Sequence, residues 1–595
     1  MAERHRADLL ISCLHGRYPE LIPTLQEEIE RRGLTGEVGV VEAGCRGLCA
    51  MGPVMLIKPG GLFYTNVQPA DVPELVEETL IKGRAVERLA YKEPVTHQSV
   101  CYYEDIPFYS KQVRHVMHDC GMIDPQSIEE YIAVGGYQAL SKALTTMTPK
   151  EIIEEVKKSG LRGRGGAGFS TGWKWEATRQ SAGDVRYAIA NGDEGDPGAF
   201  MNRSLMEGDP HAIIEGMVIG AYAIGNVRNA YIYVRDEYPL AVSNLNIALE
   251  QAREYGLLGE DILGTGFDLD IKVVRGAGAF VCGESSALMQ SVEGKVGEPR
   301  PKHYHATERG LWGQPTALNN VETWANIPLI INKGAEWFAS FGTENSKGTK
   351  TFCLAGQIQN TGLIEVPMGI TLREVIYDIG GGIPGGRELK AVQTGGPSGG
   401  CIPASLLDLP VDYDSLVEAG SMMGSGGMIV MDDRTCMVDI ARYFLEFLKE
   451  ESCGKCSPCR EGIRAMLEIL TRITEGQGKM ADLETLETLA KTVQTASLCG
   501  LGKSAPNPVI STLRHFRDEY VAHIEDKKCP AGVCKALIEY YIIEDKCLGC
   551  GLCRRKCPQG AISGEKKEVH VIDPALCIKC GICRDVCKFD AVGVR

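Results

Sequence analysis

Nowhere in the 595-residue chain is there a run of about 18 apolar residues, so the sequence has no candidate membrane-spanning helix. The first residues, Met1 to Ala7, are polar and charged and lack the apolar core of a secretion signal. Positive charge is outnumbered. The chain carries 63 Lys and Arg against 78 Asp and Glu, a net charge of −15, which excludes a dominant nucleic-acid or anionic-membrane surface. Aromatic residues make up only 7%. No Walker phosphate loop occurs, and no motif for a hydrogen-activating iron or nickel centre is evident. Cysteine, by contrast, is abundant. There are 23, most in short metal-ligand spacings, and without a secretion signal this points to a reducing cytoplasm and metal centres.

The length suggests about four domains, and the pattern divides more finely. Residues 1–90 alternate strand and helix: strands near Asp8–Ser12, Glu37–Val41 and Val54–Ile57, helices near Pro23–Arg32 and Asp71–Lys82. Residues Ala90–Tyr109 have no period and read as a linker. Residues 110–333 place glycine loops between strand and helix patterns. Residues 335–432 hold short strand runs such as Thr351–Leu354 and Met428–Met431 among Gly-Gly pairs. Residues 433–525 read as helical, 526–539 as a linker with a candidate metal site, and 540–595 as an internal repeat of about thirty residues. The predicted class is multidomain α/β and α+β.

The repeat is C-L-G-C-G-L-C-R-R-K-C-P (Cys547, Cys550, Cys553, Cys557) and C-I-K-C-G-I-C-R-D-V-C-K (Cys577, Cys580, Cys583, Cys587). This is the C-x2-C-x2-C-x3-C run of bacterial ferredoxins, in which the fourth cysteine of each run ligates the other cluster. The expected [4Fe–4S] sets are Cys547, Cys550, Cys553, Cys587 and Cys577, Cys580, Cys583, Cys557. Eight cysteines in this double pattern suit two cubanes far better than zinc. Lys588 stands where proline is usual, which alters a turn and not the ligand count.

Upstream, E-S-C-G-K-C-S-P-C-R-E-G supplies Cys453, Cys456 and Cys459, and S-L-C-G-L-G supplies Cys499 forty residues later. Spacing alone admits a third [4Fe–4S] cluster or a zinc site. His523, Cys529 and Cys534 belong to neither set. With Cys436 as candidate fourth ligand they suit tetrahedral zinc, with a [2Fe–2S] centre or unmetallated thiols as alternatives. Cys101, Cys120, Cys282, Cys353 and Cys401 lack ligand spacing and read as core residues.

Leu161–Trp175 reads L-R-G-R-G-G-A-G-F-S-T-G-W-K-W. Bare backbone with Arg162, Arg164 and Lys174 suits a phosphate or a flavin edge. It follows a helical stretch, Lys150–Ser159, rather than a strand, so it is no ordinary dinucleotide fingerprint; alone it is equally well a structural turn. Three more loops accompany it: N-G-D-E-G-D-P-G-A-F-M-N-R from Asn191, G-A-G-A-F-V-C-G-E-S-S-A-L from Gly276, and P-T-A-L-N-N-V-E-T from Pro315. Their acidic and amide side chains can hold ribityl and ribose hydroxyls, or merely cap turns.

Together these motifs, in this order from about Val113 to Asn507, resemble the NADH-binding flavin subunit of complex I and its relatives in NAD-dependent hydrogenases and formate dehydrogenases. The layout is most similar to the beta subunit of multimeric, including electron-bifurcating, [FeFe] hydrogenases. The resemblance implies FMN held by Gly163, Arg164, Gly165, Gly166, Gly168, Lys174, Asn191, Asp193, Gly283, Glu284, Asn319, Asn320 and Thr323. It implies NADH stacked on the flavin, with Phe169 against the adenine and Glu194, Asp196 and Lys302 nearby. Glu194 would repel a 2′-phosphate and favour NAD over NADP. Cys453, Cys456, Cys459 and Cys499 would carry the [4Fe–4S] cluster beside FMN. The implied domains are thioredoxin-like, FMN/NADH-binding α/β, ubiquitin-like β-grasp, helical [4Fe–4S] and 2[4Fe–4S] ferredoxin. Ser285 replaces a second glutamate of the family pattern, and Ala177 and His305 replace aromatic positions flanking the adenine. The N-terminal region resembles the family's thioredoxin-like [2Fe–2S] domain, but only Cys13, Cys45 and Cys49 are present. Tyr18 stands at the fourth position, so either His15 or another group completes the set or the cluster is lost.

The implied chemistry is hydride transfer between NAD(H) and FMN followed by single-electron transfer through clusters. Expected partners are a hydrogenase or formate dehydrogenase catalytic subunit, a small [2Fe–2S] thioredoxin-like subunit and a soluble ferredoxin, with no nucleic acid and no membrane. A relay scaffold without NAD activity is the alternative from another class.

Overall fold

A computed structural model describes residues 5–12, 18–301 and 303–595. The chain divides into two compact units, Met1–Val430 with Leu498–Leu501, and Met431–Ser497 with Gly502–Arg595.

The first unit begins with a four-stranded sheet, in spatial order Val38–Glu42, Ala7–Ser12, Val54–Lys58, Leu62–Tyr64. Helix Leu21–Arg31 covers it with Leu21, Leu25 and Ile29. Residues 90–109, expected as a linker, are built in instead. They form a hairpin, Tyr91–Lys92 against Ser99–Val100, and a helical turn at Pro107–Ser110. Their aromatics explain the difference: Tyr91, Phe108 and Tyr109 are buried, and Tyr103 and Tyr109 lie 4.3 Å apart. Two-residue strands leave no periodicity to read, but the rings are too apolar to remain in water.

The central layer is a parallel sheet in the order Thr316–Asn320, Arg186–Gly192, Val227–Arg235, Asp270–Gly276. Its strands are covered on both faces, which is why Ala188, Ile189 and Ala190 run unbroken by polar residues. Helix Pro210–Ile224 is apolar nearly all round, so it lies inside the core rather than on its surface. Gly216 and Gly220 let it pack against helix Val321–Lys333, where a Cβ on Gly216 would sit 2.0 Å from the Trp324 carbonyl oxygen. A five-stranded sheet follows, in the order Gly362–Pro367, Thr349–Gly356, Gly427–Asp432, Leu389–Thr394, Gly400–Pro403.

The second unit is helical. Met437–Glu451, Ser457–Thr474, Ala481–Ala496, Asn507–His515 and Arg517–Ile524 pack through stripes such as Ile463, Met466, Leu470 and Ile473. The tail closes on itself. Strand Tyr540–Ile542 pairs with Val592–Val594, and Ile562–Ser563 with Val571–Ile572, so first and last residues of the tail share a ladder. Among the described residues, no helix is long and apolar enough to cross a membrane.

Candidate functional site

The sheet order sets the place of the first site. The chain runs from Arg186–Gly192 outward through two strands, then returns to pair Thr316–Asn320 on the other side. Open parallel sheets bind ligands at the carboxyl ends of strands where this reversal occurs. Here those ends are Asn191 and Asn320, directly paired. Asn191, Asp193, Asn319 and Thr323 stand at or just beyond these ends.

The glycine loop is held against this point. Its Gly163 N–H donates to the Phe169 carbonyl at 2.8 Å, and the Arg164 N–H donates to Thr323 Oγ1 at 2.9 Å. Tyr413, not foreseen from the sequence, donates its hydroxyl to the Gly163 carbonyl at 2.8 Å. A Cβ on Gly165 would sit 3.2 Å from Asn320 Cβ. Gly166 has φ +106°, and a Cβ there would lie 2.9 Å from the Gly424 backbone; Gly168 is also left-handed, at φ +62°. Arg164 does not present its guanidinium to the loop. It is fully buried and donates to the carbonyls of Arg162 (3.1 Å) and Lys347 (2.7 Å). Its side chain fastens the loop from behind, and its backbone N–H serves Thr323.

The polar lining is partly engaged and partly unsatisfied. Lys174 Nζ donates to the Leu318 carbonyl (2.8 Å) and Asn319 Oδ1 (3.0 Å), and burial pulls its ammonium down to about 8. Asn191 Nδ2 donates to the Gly283 carbonyl, and Asn191 Oδ1 accepts from the Asp193 N–H, each at 3.0 Å. Asp193 Oδ1 meets Arg235 at 3.3 Å, while Asp193 Oδ2 and Asn319 Nδ2 are buried with no protein partner. Buried polar atoms without partners are rare, and an acceptor and a donor left open beside a glycine loop fit a flavin's ribityl or ring edge. Glu284 and Asn320 both cap helices. Glu284 accepts from Ser286 and Ala287 N–H groups, and Asn320 from the Glu322 N–H.

The acidic loop is more enclosed than the sequence suggested. Glu194 is buried, and its carboxylate accepts the Asn202 and Arg203 N–H groups, each at 3.1 Å, at the start of helix Met201–Gly208. Asp196 accepts from Ser425 at 2.9 Å, under the Gly395–Gly400 turn. Burial pushes Asp193 and Glu194 up to about 7 and Asp196 up to about 6. Phe169 is 59% exposed and presents a bare ring; His305 is exposed and caps the turn Ala306–Arg309. Lys302, Cys13 and His15 lie outside the described residues. Sequence reasoning missed Arg235, Tyr413 and Ser425; only the G-S-G-G run beside Ser425 offered a signal.

These raised carboxyls carry a pH signature. The folded chain holds protons that the unfolded chain releases near pH 4, so stability falls as pH rises from about 4 through about 7. Asp193→Asn is expected to flatten that fall and to raise the flavin-free chain's Tm at pH 7.5 by roughly 2–4 °C. Thermal unfolding at pH 5 and pH 7.5 measures it. An unchanged slope counts against a neutral Asp193.

Metal-ligand geometry appears in the second unit. Two small cavities lie in the tail. One is lined by Cys547, Cys550, Cys553 and Cys587, the other by Cys577, Cys580, Cys583 and Cys557. The crossed sets expected from the repeat therefore each surround one cavity. Backbone N–H groups of Lys579 and Ala591 approach Cys577 and Cys587 Sγ at 3.4 and 3.3 Å. Cys453, Cys456 and Cys459 flank the start of helix Ser457–Thr474, where Cys459 lines a cavity with Lys449, Arg460 and Arg464. Cys499 is buried and groups with the first unit.

Cys436, His523, Cys529 and Cys534 are all buried, and their ligand atoms lie within 4.8 Å of one another. His523 Nε2 is 3.3 Å from both Cys436 and Cys534 Sγ, and those sulfurs are 3.7 Å apart. A tetrahedron with arms of about 2.3 Å has edges of about 3.8 Å. His523 Nδ1 lies 2.7 Å from the Glu519 carbonyl, which turns Nε2 toward the sulfurs. In the first unit Cys45 and Cys49 Sγ lie 4.0 Å apart.

Comparison with known proteins agrees with this layout. Residues 156–329 match the Nuo51 FMN-binding domain, 439–523 the iron-sulfur binding region of NADH-ubiquinone oxidoreductase, 351–402 an SLBB domain, and 540–563 and 570–592 a 4Fe-4S binding domain. The NADP-reducing hydrogenase subunit HndC of Solidesulfovibrio fructosivorans is 57% identical over 482 residues, 81% of this chain and 98% of that one. An NADH-quinone oxidoreductase subunit of Rhizobium meliloti is 48% identical over 407 residues, 68% of this chain and 96% of that one. A crystal structure of an NAD+-reducing [NiFe]-hydrogenase in the H2-reduced state aligns with TM-score 0.61 and 29% identity, covering 88% of this chain and 84% of that one. The chain is a mixed α/β multidomain protein that belongs to the Nuo51 family, the FMN-binding and iron–sulfur-binding subunits typified by those of the NADH-quinone oxidoreductases.

Proposed function

We propose that the chain is the nicotinamide-dinucleotide-oxidising flavin subunit of a multi-subunit, cytoplasmic hydrogenase, reversible toward NAD+ reduction. The observation that carries this reading is the pairing of two features in one chain. One is a glycine-loop cradle at the sheet's switch point with Asp193 Oδ2 and Asn319 Nδ2 left open. The other is a tail whose crossed cysteine sets each line one cavity. FMN, when bound, supplies the exchange between a two-electron hydride carrier and one-electron clusters. The chain's own residues position it. Gly163–Gly168 give close backbone approach, Lys174 and Asn319 offer donors, Asp193 offers an acceptor, and Phe169 offers a face to an adenine. Cys453, Cys456, Cys459 and Cys499 would hold the first cluster, and the two tail sets the next two. The 57% identity to a hydrogenase subunit supports a hydrogenase over a formate dehydrogenase as the assembly. A small thioredoxin-like [2Fe–2S] subunit, a soluble ferredoxin and electron bifurcation belong to the same reading.

The Cys436–His523–Cys529–Cys534 site fits one zinc ion rather than a [2Fe–2S] centre. The two irons of such a centre would spread the ligand pairs farther apart than 4.8 Å. Cys45 and Cys49, at 4.0 Å, suit two thiolates on one iron and keep a [2Fe–2S] cluster in the N-terminal domain open.

A second reading, an FMN and iron–sulfur relay that does not use NAD, rests on the enclosure of Glu194 by the helix it caps and on Ala177 and His305. NADH- and NADPH-driven viologen reduction by the full, iron- and flavin-loaded chain separates the two. Turnover with NADH is expected, and slower turnover with NADPH if Glu194 repels the 2′-phosphate. No turnover at full FMN occupancy would leave only the relay.

A further inference from the structure

The two halves of the tail repeat not only their cysteines but the residue seven positions before the first of them. That residue is Tyr540 before Cys547, and His570 before Cys577. Both side chains cross to the opposite half. Tyr540 lines the cavity of Cys577, Cys580, Cys583 and Cys557, and His570 lines the cavity of Cys547, Cys550, Cys553 and Cys587. They take the same station against equivalent glycines. A Cβ built on Gly581 would lie 3.2 Å from the Tyr540 hydroxyl, and one built on Gly551 would lie 3.7 Å from His570 Nε2. Neither ring is a surface residue: Tyr540 is 9% exposed and His570 only 2%. His570 Nδ1 lies 3.1 Å from the Glu568 carbonyl, which holds the ring with Nε2 on the cavity side.

Much of the rest matches: each cavity has four cysteines, a glycine and an aliphatic residue between the second and third ligands (Gly551 and Leu552, or Gly581 and Ile582), and an alanine beside a branched residue (Ala591 and Val592, or Ala561 and Ile562); the other unlike pair is Phe589 in the first against Gln559 in the second. Cluster potentials respond to polarity and hydrogen bonding around the sulfurs. A phenol beside one cluster and an imidazole nitrogen beside the other is therefore a built-in inequality between sites that share a ligand set.

Resting on the reading of the tail as a two-cluster relay, we propose that His570 is the residue that sets the two tail clusters at different potentials. An electron entering the tail then settles on one cluster rather than being shared evenly. His570 acts as a tuning residue: it ligates nothing and moves no substrate.

The test is an EPR-monitored redox titration of the full, iron–sulfur-loaded chain, with Cys550→Ser and Cys580→Ser variants assigning each tail signal to its cavity. The wild type is expected to reduce its tail clusters in two separated steps. In His570→Tyr, which gives both cavities a phenol and leaves only Phe589 against Gln559 unlike, the two steps are expected to draw together. In the double variant Tyr540→His/His570→Tyr the separation is expected to return with the order of the clusters exchanged. His570→Phe, which keeps a buried ring without nitrogen, guards against a misfolded tyrosine variant and is also expected to narrow the separation. Iron content of each variant is measured alongside. Unsplit steps in the wild type, or a separation that persists in both His570→Tyr and His570→Phe at full iron content, would overturn the proposal. A wild type without [4Fe–4S] signals from the tail would overturn the relay reading itself.

Discussion

Replacing Gly166 with valine is expected to empty the flavin cradle. The residue sits at φ +106°, where a side chain is strained, and its Cβ would meet the Gly424 carbonyl carbon and Cα at 2.9 Å. Both obstacles are backbone, so no side chain can swing aside. Left-handed strain costs about 1–3 kcal/mol, and overpacking costs about 1–3 kcal/mol more. Together, at about 2 kcal/mol or more, they weaken flavin retention by more than tenfold, since about 1.4 kcal/mol is a factor of ten. The loop can escape only by leaving Thr323 and Asn320, which it touches through the Arg164 N–H and Gly165. Flavin absorbance per chain after desalting measures the outcome. Gly256→Ala is the control, because Gly256 is also left-handed but has nothing within 4 Å; it should retain its flavin. Full flavin occupancy in Gly166→Val would show that the loop is not the cradle.

The second large effect concerns the metal site of the helical unit. Elemental analysis of the purified chain is expected to give one zinc per molecule, lost in the double variant Cys529→Ser/Cys534→Ser. Structural zinc contributes on the order of 10 kcal/mol to small domains, so the second unit's unfolding midpoint should fall by about 10 °C or more. Without metal the side chains stay gathered: the Cys534 thiol donates to Cys436 Sγ at 3.7 Å, and His523 Nε2 lies 3.3 Å from both sulfurs. That arrangement is half a metal site already. NADH-driven flavin reduction should survive the double substitution, because no zinc ligand lies in the flavin cradle, while electron delivery to a partner subunit slows. If both activities fall together, the site supports the whole chain and not the seating of the tail alone.

Much of this was legible because cofactor chemistry leaves dense, spaced residue patterns. The double cysteine run pointed to the crossed grouping of cysteines that lines the two tail cavities, since the spacing admits few other arrangements. The glycine loop and the N-N-V-E-T segment, in order, gave the family. What failed to show was direction. Arg164 sits in the loop as a phosphate ligand would, yet its guanidinium turns inward to Lys347. Glu194 lies in an acidic run that reads as sugar-binding, yet its carboxylate caps the helix beginning at Met201. A charged residue in a glycine loop has the same letters whether it faces the ligand or the scaffold. Tyr413 and Ser425 were out of reach for another reason: each acts on a loop more than two hundred residues away. Residues 90–109 looked like a linker because burial there rests on single rings, not on a periodic face.

The crossed cysteine sets also constrain how the tail comes into being. Each cavity borrows one sulfur from the other half of the repeat, Cys587 for the first and Cys557 for the second. On the proposed ligand sets, a chain emerging from the ribosome cannot finish its first cluster when Cys553 appears. It must wait for Cys587, thirty-four residues later. The second set is complete at Cys583, four residues earlier, so the halves close in reverse order. A chain cut short by a few residues before Arg595 would lose the ladder partner of Tyr540–Ile542 and, one step further, the last ligand of the first cluster.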